Sequence, residues 1–248
     1  MKVVVLCAGY ATRLYPLTKD RPKPLLHVAD RPIIEYILIE SKKLREVDSI
    51  YIVTNSKFTH VFEKWKKNFS FAIPIEIIND QTVSNDDRLG AIGDLHYAIA
   101  EKHIDDDVLV VAGDNLFDLN INNFFSFAET KKPYVTIAAF DIKDTERAKR
   151  YGLVELNDEQ QVINFREKPQ LPSTTLVSLG LYYFPQNTLP LLKKYMSEGN
   201  NLDQPGHYIT WLANTYKVFA YTFDGSWFDI GDFESLQQAD TFYRNKKK

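Results

Sequence analysis

The residues best suited to chemistry lie close to the N-terminus, where a loop of small residues is followed by two cations. The loop Ala8–Thr12 comes directly after an apolar, β-branched run over Val3–Cys7, which is typical of a buried strand in a parallel sheet. Small residues let backbone N–H groups approach a phosphate chain, and Arg13 and Lys23 could neutralise charge on the same phosphates. The segment therefore predicts a phosphate-binding site. The alternative is an ordinary strand-to-loop connection with two surface cations.

Two carboxylates much farther along the chain are candidates for holding a metal ion. Asp114 follows the apolar run Val108–Val111, and a carboxylate just past a buried strand reaches the edge of the sheet where ligands bind. Asp229 lies in an acidic segment that also contains Asp232. Mg²⁺ is usually held by one or two carboxylates together with phosphate oxygens, so we predict Asp114 and Asp229 as its ligands. The alternative is that Asp114 caps a turn and Asp229 caps the closing helix.

These segments resemble the signature of the sugar-1-phosphate nucleotidyltransferases, the NDP-sugar pyrophosphorylases. The family loop Gly-Gly-x-Gly-Thr-Arg-Leu corresponds to Ala8–Leu14. Its Pro-Leu-Thr and Pro-Lys-x-Leu elements correspond to Pro16–Thr18 and Pro22–Leu25. The metal-binding motifs Gly-Asp-Asn and Trp-x-Asp-x-Gly-Thr correspond to Gly113–Asn115 and Trp227–Asp232. The resemblance extends over essentially the whole chain.

The chain departs from the family motifs at several positions. Alanines at Ala8 and Ala11 replace two loop glycines. Because alanine tolerates positive φ poorly, we expect either ordinary backbone angles there or a tighter loop. Asp232 takes the place of a threonine and is predicted to cap the last helix, not to bind metal. Ser178 takes the place of an asparagine on the sugar side.

The resemblance implies a role for each group of candidate residues. The implied nucleotide-binding residues are Leu6, Ala8, Gly9, Tyr10, Ala11, Thr12, Gly90 and Asp114. The implied sugar-phosphate-binding residues are Gly152, Glu167, Lys168 and Ser178, with Glu167 on the sugar hydroxyls and Lys168 on the phosphate. The implied catalytic residues are Arg13, Lys23 and Lys168, and the implied Mg²⁺ ligands are Asp114 and Asp229.

The implied reaction converts NTP and a hexose 1-phosphate into an NDP-sugar and pyrophosphate. The sugar phosphate attacks the α-phosphorus in line, so catalysis consists of positioning and charge neutralisation without a covalent enzyme intermediate. Two alternatives stay open. One is a cytidylyltransferase acting on a non-sugar phosphate such as phosphocholine, suggested by the polar loop Asn79–Arg88, and the other is a catalytically silent subunit that binds NDP-sugar. A nicotinamide dehydrogenase is disfavoured, because the first loop lacks the G-x-G-x-x-G spacing.

Composition excludes several other classes of protein. The chain has 248 residues and a net charge of −3, which gives no support for nucleic-acid binding, and no apolar run approaches the length of a membrane span. Its single cysteine, Cys7, precludes an intrachain disulfide and is expected to be a packed thiol in a reducing compartment. Met1 leads directly into a strand without a signal peptide, so we expect a cytoplasmic protein. Whether the chain forms a homo-oligomer is left open.

Strand-like and helix-like segments alternate, which predicts an α/β fold: one Rossmann-like domain over 1–248 with a mixed, mostly parallel sheet flanked by helices and no C-terminal β-helix. A nucleotide-binding half covers about 1–130 and a sugar-phosphate-binding half about 131–248. Strands are predicted at Val3–Cys7, Ser49–Thr54, Ile73–Ile78, Asp107–Ala112, Tyr134–Ile142, Gly152–Leu156, Val162–Glu167, Thr175–Phe184 and Lys217–Phe223. Helices are predicted from an Asp30 cap to Glu46 and at Lys57–Phe69, Gly90–His103, Asn187–Ser197, His207–Asn214 and Phe233–Arg244, followed by a solvated tail at Lys246–Lys248.

Overall fold

Strands and helices alternate along the chain in the computed structural model, which describes residues 1–246. The strands are β1 (Lys2–Leu6), β2 (His27–Val28), β3 (Arg31–Pro32), β4 (Ser49–Thr54), β5 (Ile75–Asn79), β6 (Val108–Ala112), β7 (Asn115–Phe117), β8 (Val135–Asp141), β9 (Gly152–Leu156), β10 (Val162–Glu167), β11 (Leu176–Phe184), β12 (Val218–Thr222) and β13 (Trp227–Asp229). The helices are α1 (Ile33–Ser41), α2 (Thr59–Lys67), α3 (Gly90–Glu101), α4 (Ile121–Thr130), α5 (Thr145–Ala148), α6 (Pro190–Ser197), α7 (Pro205–Thr215) and α8 (Phe233–Asn245).

The central sheet of the described residues has nine strands and confirms the predicted α/β fold. Seven of them lie in the order β10-β9-β11-β6-β1-β4-β5, while β8 pairs with β11 and β12. β1 pairs in parallel with β4 and β6, and β4 pairs in parallel with β5. The β9–β10 hairpin and β11 add antiparallel pairs, so the sheet is mixed.

The core lies on both faces of this sheet. In β1 the side chains of Val3 and Val5 belong to one apolar cluster and Val4 belongs to the other, because successive side chains of a strand point to opposite faces. All three are fully buried, as expected for a central parallel strand covered by helices on both sides. Cys7 is a buried free thiol, which confirms its predicted packing. Within residues 1–246 no helix is long and apolar enough to cross a membrane.

The first helix differs from the prediction at both ends. It begins at Ile33 with Pro32 as its N-cap and ends at Ser41, so the predicted Asp30 cap and the extension to Glu46 are wrong. The reason is a short antiparallel ladder between β2 and β3, in which Ala29 takes positive φ and Asp30 lies in the connecting turn. At the other end, the backbone N–H groups of Lys43 and Leu44 donate to carbonyls three residues earlier instead of four, so the α-helical pattern ends.

The last helix begins as predicted. Asp232 Oδ1 accepts a hydrogen bond from the Ser235 backbone N–H at 2.8 Å, and Ser235 Oγ accepts from the Asp232 backbone N–H at 3.1 Å. This reciprocal capping box leaves Asp229 outside the helix, so the alternative that Asp229 caps α8 is wrong. Lys246 forms an ion pair with Asp118, and the rest of the predicted solvated tail, Lys247 and Lys248, lies outside the described residues.

Replacing the cap gives a first testable prediction for stability. Asp232→Ala is expected to lower the free energy of unfolding by about 1 kcal/mol, because the Ser235 N–H loses its acceptor. Asp232→Asn keeps an acceptor oxygen at the same place and is the matched control. Urea unfolding of the two variants measures the difference. Equal losses from both variants would contradict a capping role.

Candidate active site

The first loop leaves the end of β1 at the centre of the sheet and is held from two sides. Asn55 Nδ2, fully buried just after β4, donates to the Ala8 carbonyl at 2.7 Å. Thr18 Oγ1, also fully buried, donates to the Ala11 carbonyl at 2.7 Å. Gly9 between them is exposed, and a Cβ added there would meet nothing within 4 Å. The loop is therefore fixed at its ends while its middle stays open to the solvent.

The two alanines in this loop behave differently. Ala8 keeps an ordinary backbone conformation, whereas Ala11 has φ 47° and ψ 44°, in the left-handed region that favours glycine. Of the two expected alternatives, ordinary backbone angles therefore hold for Ala8 but not for Ala11. The turn that begins after Ala11 carries Arg13, whose exposed side chain lines the cleft described below.

A short two-stranded sheet brings the two predicted metal ligands together. β13 pairs antiparallel with β7, so that Asp229 lies opposite Asn115, and the Ile230 N–H donates to the Asp114 carbonyl at 3.0 Å. Trp227 Nε1 donates to Asn115 Oδ1 at 2.7 Å and locks this pairing. Neither strand was predicted, and β13 also means that Lys217–Phe223 is not the last strand of the chain.

Lys23 binds one of these carboxylates directly. Its Nζ donates to Asp114 Oδ2 at 2.5 Å, and Asn115 Nδ2 donates to the other Asp114 oxygen at 3.0 Å. Lys23 lies in a tight turn bounded by prolines, which directs its side chain inward; only 16% of that side chain is exposed. Lys23 therefore reaches the site through Asp114 and does not itself line the cleft.

The two carboxyl groups have opposite pKa shifts. Burial alone would raise the pKa of Asp114, but the Lys23 ammonium beside it and its hydrogen bonds hold that pKa below its ordinary value. Burial, and after it repulsion from Asp114, raises the pKa of Asp229 to about 6. The nearby cations lower this pKa, and Lys23 has the largest effect among them. Asp229 thus carries a negative charge near neutral pH in surroundings that disfavour it.

The opposite wall of the site is built on the β9–β10 hairpin. Glu167 at the end of β10 pairs with Gly152 at the start of β9, and its side chain is only 10% exposed. A Cβ at Gly152 would approach Phe165 Cζ to 2.5 Å and Glu167 Oε2 to 2.9 Å, so this glycine makes room for the carboxylate. Lys168 Nζ lies 3.3 Å from Glu167 Oε1 and its side chain is 46% exposed.

Helix α7 also contacts Glu167, through a residue that sequence reasoning missed. A Cβ at Gly206 would lie 1.7 Å from Glu167 Oε2 and 3.1 Å from Phe165 Cε1. Gly206 therefore lets the N-terminal turn of α7 pack directly against the carboxylate. A glycine immediately after Pro205, in the first turn of a helix where other residues are better helix formers, is the signal that could have identified it.

These elements enclose one cleft of about 1110 Å³. It gathers seven of the predicted site residues: Arg13, Asp114, Gly152, Glu167, Lys168, Ser178 and Asp229. It also contains residues that were not predicted, among them Arg147, Arg150, Gln204 and Gly206. The lining does not include the predicted nucleotide contacts Leu6, Ala8, Gly9, Tyr10, Ala11, Thr12 and Gly90, nor Lys23.

Gly90 illustrates why part of the predicted nucleotide site lies outside this cleft. It has φ +79°, and a Cβ there would approach the Leu202 carbonyl oxygen to 2.5 Å. The segment before α7 thus packs on the start of α3, where the Ile92 N–H donates to the Leu202 carbonyl at 3.0 Å. An ion pair between Arg88 and Asp203, at 2.8 Å, joins the same two segments.

Comparison with known proteins places this arrangement in a family. A family model described as nucleotidyl transferase matches residues 2–246. The bifunctional protein GlmU of Methanocaldococcus jannaschii is 27% identical over 248 residues, covering 99% of this chain and 55% of that protein. A glucose-1-phosphate adenylyltransferase of Clostridium novyi is 26% identical over 258 residues, covering 96% and 65%. The chain therefore spans 55% to 65% of the length of these two relatives.

The fold also matches solved structures. A UDP-glucose pyrophosphorylase complexed with UDP-glucose superposes with a TM-score of 0.81 at 21% identity, covering 99% of this chain and 98% of that one. At this identity the likeness concerns the fold. It agrees with the mixed, mostly parallel sheet flanked by helices that the alternation of strands and helices predicts.

Proposed function

Because the chain belongs to the nucleotidyl transferase family, we propose that it transfers a nucleotidyl group from NTP to a hexose 1-phosphate and releases pyrophosphate. The observation that carries the proposal is the composition of the cleft of about 1110 Å³. It combines the cations Arg13 and Lys168 with the carboxylates Asp114, Asp229 and Glu167. A site for two phosphorylated substrates needs cations for phosphates, a carboxylate pair for a divalent ion, and an acceptor for hydroxyl groups.

The reaction needs little covalent chemistry from the protein. An oxygen of the sugar phosphate uses a lone pair to form a bond to the α-phosphorus, while the bond from that phosphorus to the bridging oxygen breaks and its electron pair leaves with pyrophosphate. The attacking phosphate is already ionised, so no general base is required. Arg13 neutralises charge on the departing pyrophosphate. Lys23 acts through Asp114, which it holds in place and keeps ionised beside the α-phosphate.

The carboxylate pair fits a divalent cation. The pKa of Asp229 is raised partly because Asp114 repels its charge, and a cation between two such carboxylates would relieve that repulsion. Within residues 1–246 no group of three or more His, Cys, Asp or Glu side chains is arranged to hold a metal, so the remaining ligands would be substrate oxygens and water, as Mg²⁺ prefers. Mg²⁺ held by Asp114 and Asp229 would neutralise charge on the reacting phosphates.

The acceptor end of the cleft fits a phosphorylated sugar. Glu167 offers two carboxylate oxygens to hydroxyl groups, and the adjacent Lys168 offers an ammonium to the sugar phosphate. Gly152 and Gly206 leave room for the Glu167 carboxylate on both sides. A carboxylate that accepts from hydroxyl groups beside an ammonium that binds a phosphate supplies the contacts that a hexose 1-phosphate needs.

The packing of Gly206 gives a second prediction. Gly206→Ala is expected to displace the Glu167 carboxylate and raise KM for the hexose 1-phosphate at least about tenfold, because small misplacements of positioning groups have large kinetic effects. Gly231→Ala is the matched control: it also lines the cleft, but its Cβ would meet nothing within 4 Å. Steady-state kinetics with each substrate varied separately measure the difference. An unchanged acceptor KM in a folded Gly206→Ala variant would contradict the assignment of Glu167 to the acceptor.

The substrate pair is tested with a grid of reactions. The purified protein with Mg²⁺ is combined with ATP, GTP, CTP, UTP or dTTP and with several hexose 1-phosphates or phosphocholine, and both pyrophosphate and the nucleotide-linked product are measured. The proposal expects product only when one hexose 1-phosphate and one NTP are present together. Product only from CTP and phosphocholine would overturn it in favour of the cytidylyltransferase. A folded protein that binds an NDP-sugar but forms no product would favour the silent subunit.

A further inference from the structure

Two aspartates lie against each other in the interior of the nucleotide-binding half, outside the cleft. Asp80 follows β5 and is 3% exposed, and Asp94 lies in α3 and is 6% exposed. The two carboxyl groups are within hydrogen-bonding distance of one another. One oxygen of each, Asp80 Oδ2 and Asp94 Oδ1, is buried without a donor among the residues that the structure describes. Fully buried acidic residues are rare unless they are paired, so this pair requires an explanation.

A hydrogen bond between these groups requires a proton. Two carboxylates carry only acceptors, whereas one carboxylic acid beside one carboxylate forms a strong hydrogen bond. Burial, followed by repulsion from Asp80, raises the pKa of Asp94 to about 8, and burial also raises the pKa of Asp80. At neutral pH the pair therefore holds one proton and one negative charge.

The surroundings of the pair favour retention of that proton. Asp203 acts on Asp94 from the segment before α7, and Asp87 acts on Asp80 from the polar loop. Both are acidic and so oppose a second negative charge, although the ion pair of Asp203 with Arg88 offsets part of that effect. Uncharged groups also act on the pair: the Thr82 backbone N–H and hydroxyl donate to Asp80. Burial, with a smaller contribution from nearby aspartates that include Asp94, raises the pKa of Cys7 and of Tyr10.

The pair is connected to the first loop through one residue. Thr82 N–H and Thr82 Oγ1 both donate to Asp80 Oδ1 at 2.8 Å. The same Thr82 hydroxyl lies 3.5 Å from the Tyr10 hydroxyl, and Tyr10 is buried in the middle of the loop that begins at Ala8. Asp80 thus anchors the start of the polar loop, Asp94 anchors Asp80 to α3, and Thr82 and Tyr10 extend this contact to the first loop.

We propose that Asp80 and Asp94 are positioning residues that share one proton, and that this shared proton holds the first loop in its nucleotide-binding conformation. Loss of the proton leaves two buried carboxylates facing each other, which separates β5 from α3 and moves Thr82 away from Tyr10. Nucleotide affinity then falls as the pair ionises. This inference rests on the proposed function and on the NTP-binding role that the family resemblance implies for the first loop.

The shared proton is tested first without reference to activity. Infrared spectroscopy of the parent protein is expected to show the C=O stretch of a protonated carboxylic acid at about pH 7, which disappears as the pH rises through about 8. Asp229, with a pKa of about 6, is mostly ionised in this range. The band is expected to be absent from Asp94→Asn. A parent protein without such a band above about pH 7 would overturn the proposal.

Nucleotide affinity is the second readout. The Kd for Mg²⁺-bound ATP, GTP, CTP, UTP and dTTP is measured from about pH 7 to about pH 9, and the Kd of the nucleotide that binds is expected to rise about tenfold in the parent. In Asp94→Asn it is expected to stay nearly constant, because the amide donates to Asp80 at every pH. Titration of the nucleotide itself affects both proteins equally. Asp86→Asn, which removes a charge from the exposed part of the same loop, is expected to follow the parent.

The outcomes separate this proposal from the proposed function. Identical pH dependence of Kd in the parent and Asp94→Asn would overturn the positioning role alone. A parent that shows the infrared band but binds no NTP would overturn the proposed function and the positioning role together. If Asp94→Asn fails to fold, the parent protein alone still tests the proposal. The loss of the infrared band and the rise in Kd are then expected at the same pH. Different midpoints would overturn the link between the shared proton and nucleotide affinity.

Discussion

Replacing Asp229 by asparagine is expected to lower turnover at least about a hundredfold without loss of stability. The site loses a charge that, in the proposed mechanism, holds Mg²⁺ against the reacting phosphates. Stability is expected to move in the opposite direction. The pKa of Asp229 is raised to about 6 in the folded protein, so its contribution to stability is complete below the unfolded value and declines as the pH rises through about 6. An asparagine at position 229 does not ionise, so the stability of the variant does not decline in this way.

Asp229→Asn is therefore expected to unfold at the same temperature as the parent or higher at about pH 7, while turnover is largely lost. Thermal unfolding and pyrophosphate release are measured on the same preparations. Asp224→Asn, in the connection between β12 and β13, is the matched control and is expected to keep both properties. Parental turnover in folded Asp229→Asn would remove this residue from the proposed metal site.

Arg13→Ala is expected to have a comparable effect on turnover, at least about a hundredfold, with an unchanged free energy of unfolding. The Arg13 side chain is exposed at the edge of the cleft, so its removal leaves no cavity in the core. Its proposed task is to neutralise charge that develops on the departing pyrophosphate. Charge that develops in the transition state affects kcat more than KM.

Arg21→Ala provides the comparison, because Arg21 is an exposed arginine in the same connection and does not line the cleft. It is expected to retain parental kcat. Arg13→Lys is expected to recover part of the activity, since an ammonium supplies charge without the paired N–H groups of a guanidinium. Equal kcat for the Arg13→Ala and Arg21→Ala variants would show that Arg13 does not act on the leaving group.

The sequence predicts those parts of the fold whose local signals agree. β4, β9 and β10 have the predicted bounds because each is an apolar or alternating run limited by turn residues. β7 and β13 were missed, since strands of three residues have no measurable period and form only by pairing over more than a hundred residues. The first helix was placed too early because the pairing of β2 and β3 overrides the capping preference of Asp30.

The residues of the candidate site also divide into those that the sequence predicts and those that it does not. Asp114 lies just past the end of β6, where a parallel sheet places ligand-binding residues, so its position follows from the sequence. Glu167 lies in an antiparallel hairpin, and its position follows from the pairing of β10 with β9. Gly206 and Asp94 could not be singled out in this way. The importance of Gly206 depends on the approach of α7 to Glu167, and Asp94 lies on the buried face of a helix whose other inward residues are small or apolar. The glycine after Pro205 is a sequence signal for Gly206, but the contacts of both residues are identified only by packing.

The cleft is proposed to join a nucleotide to a sugar phosphate. The most direct test is a ³¹P NMR time course of the parent protein with Mg²⁺, the preferred NTP and its hexose 1-phosphate. We expect one pyrophosphate and one diphosphate-linked nucleotide sugar to appear for each hexose 1-phosphate consumed, and no pyrophosphate from NTP alone. Release of pyrophosphate or phosphate at the same rate without the acceptor, or an unchanged spectrum from folded protein, would contradict it.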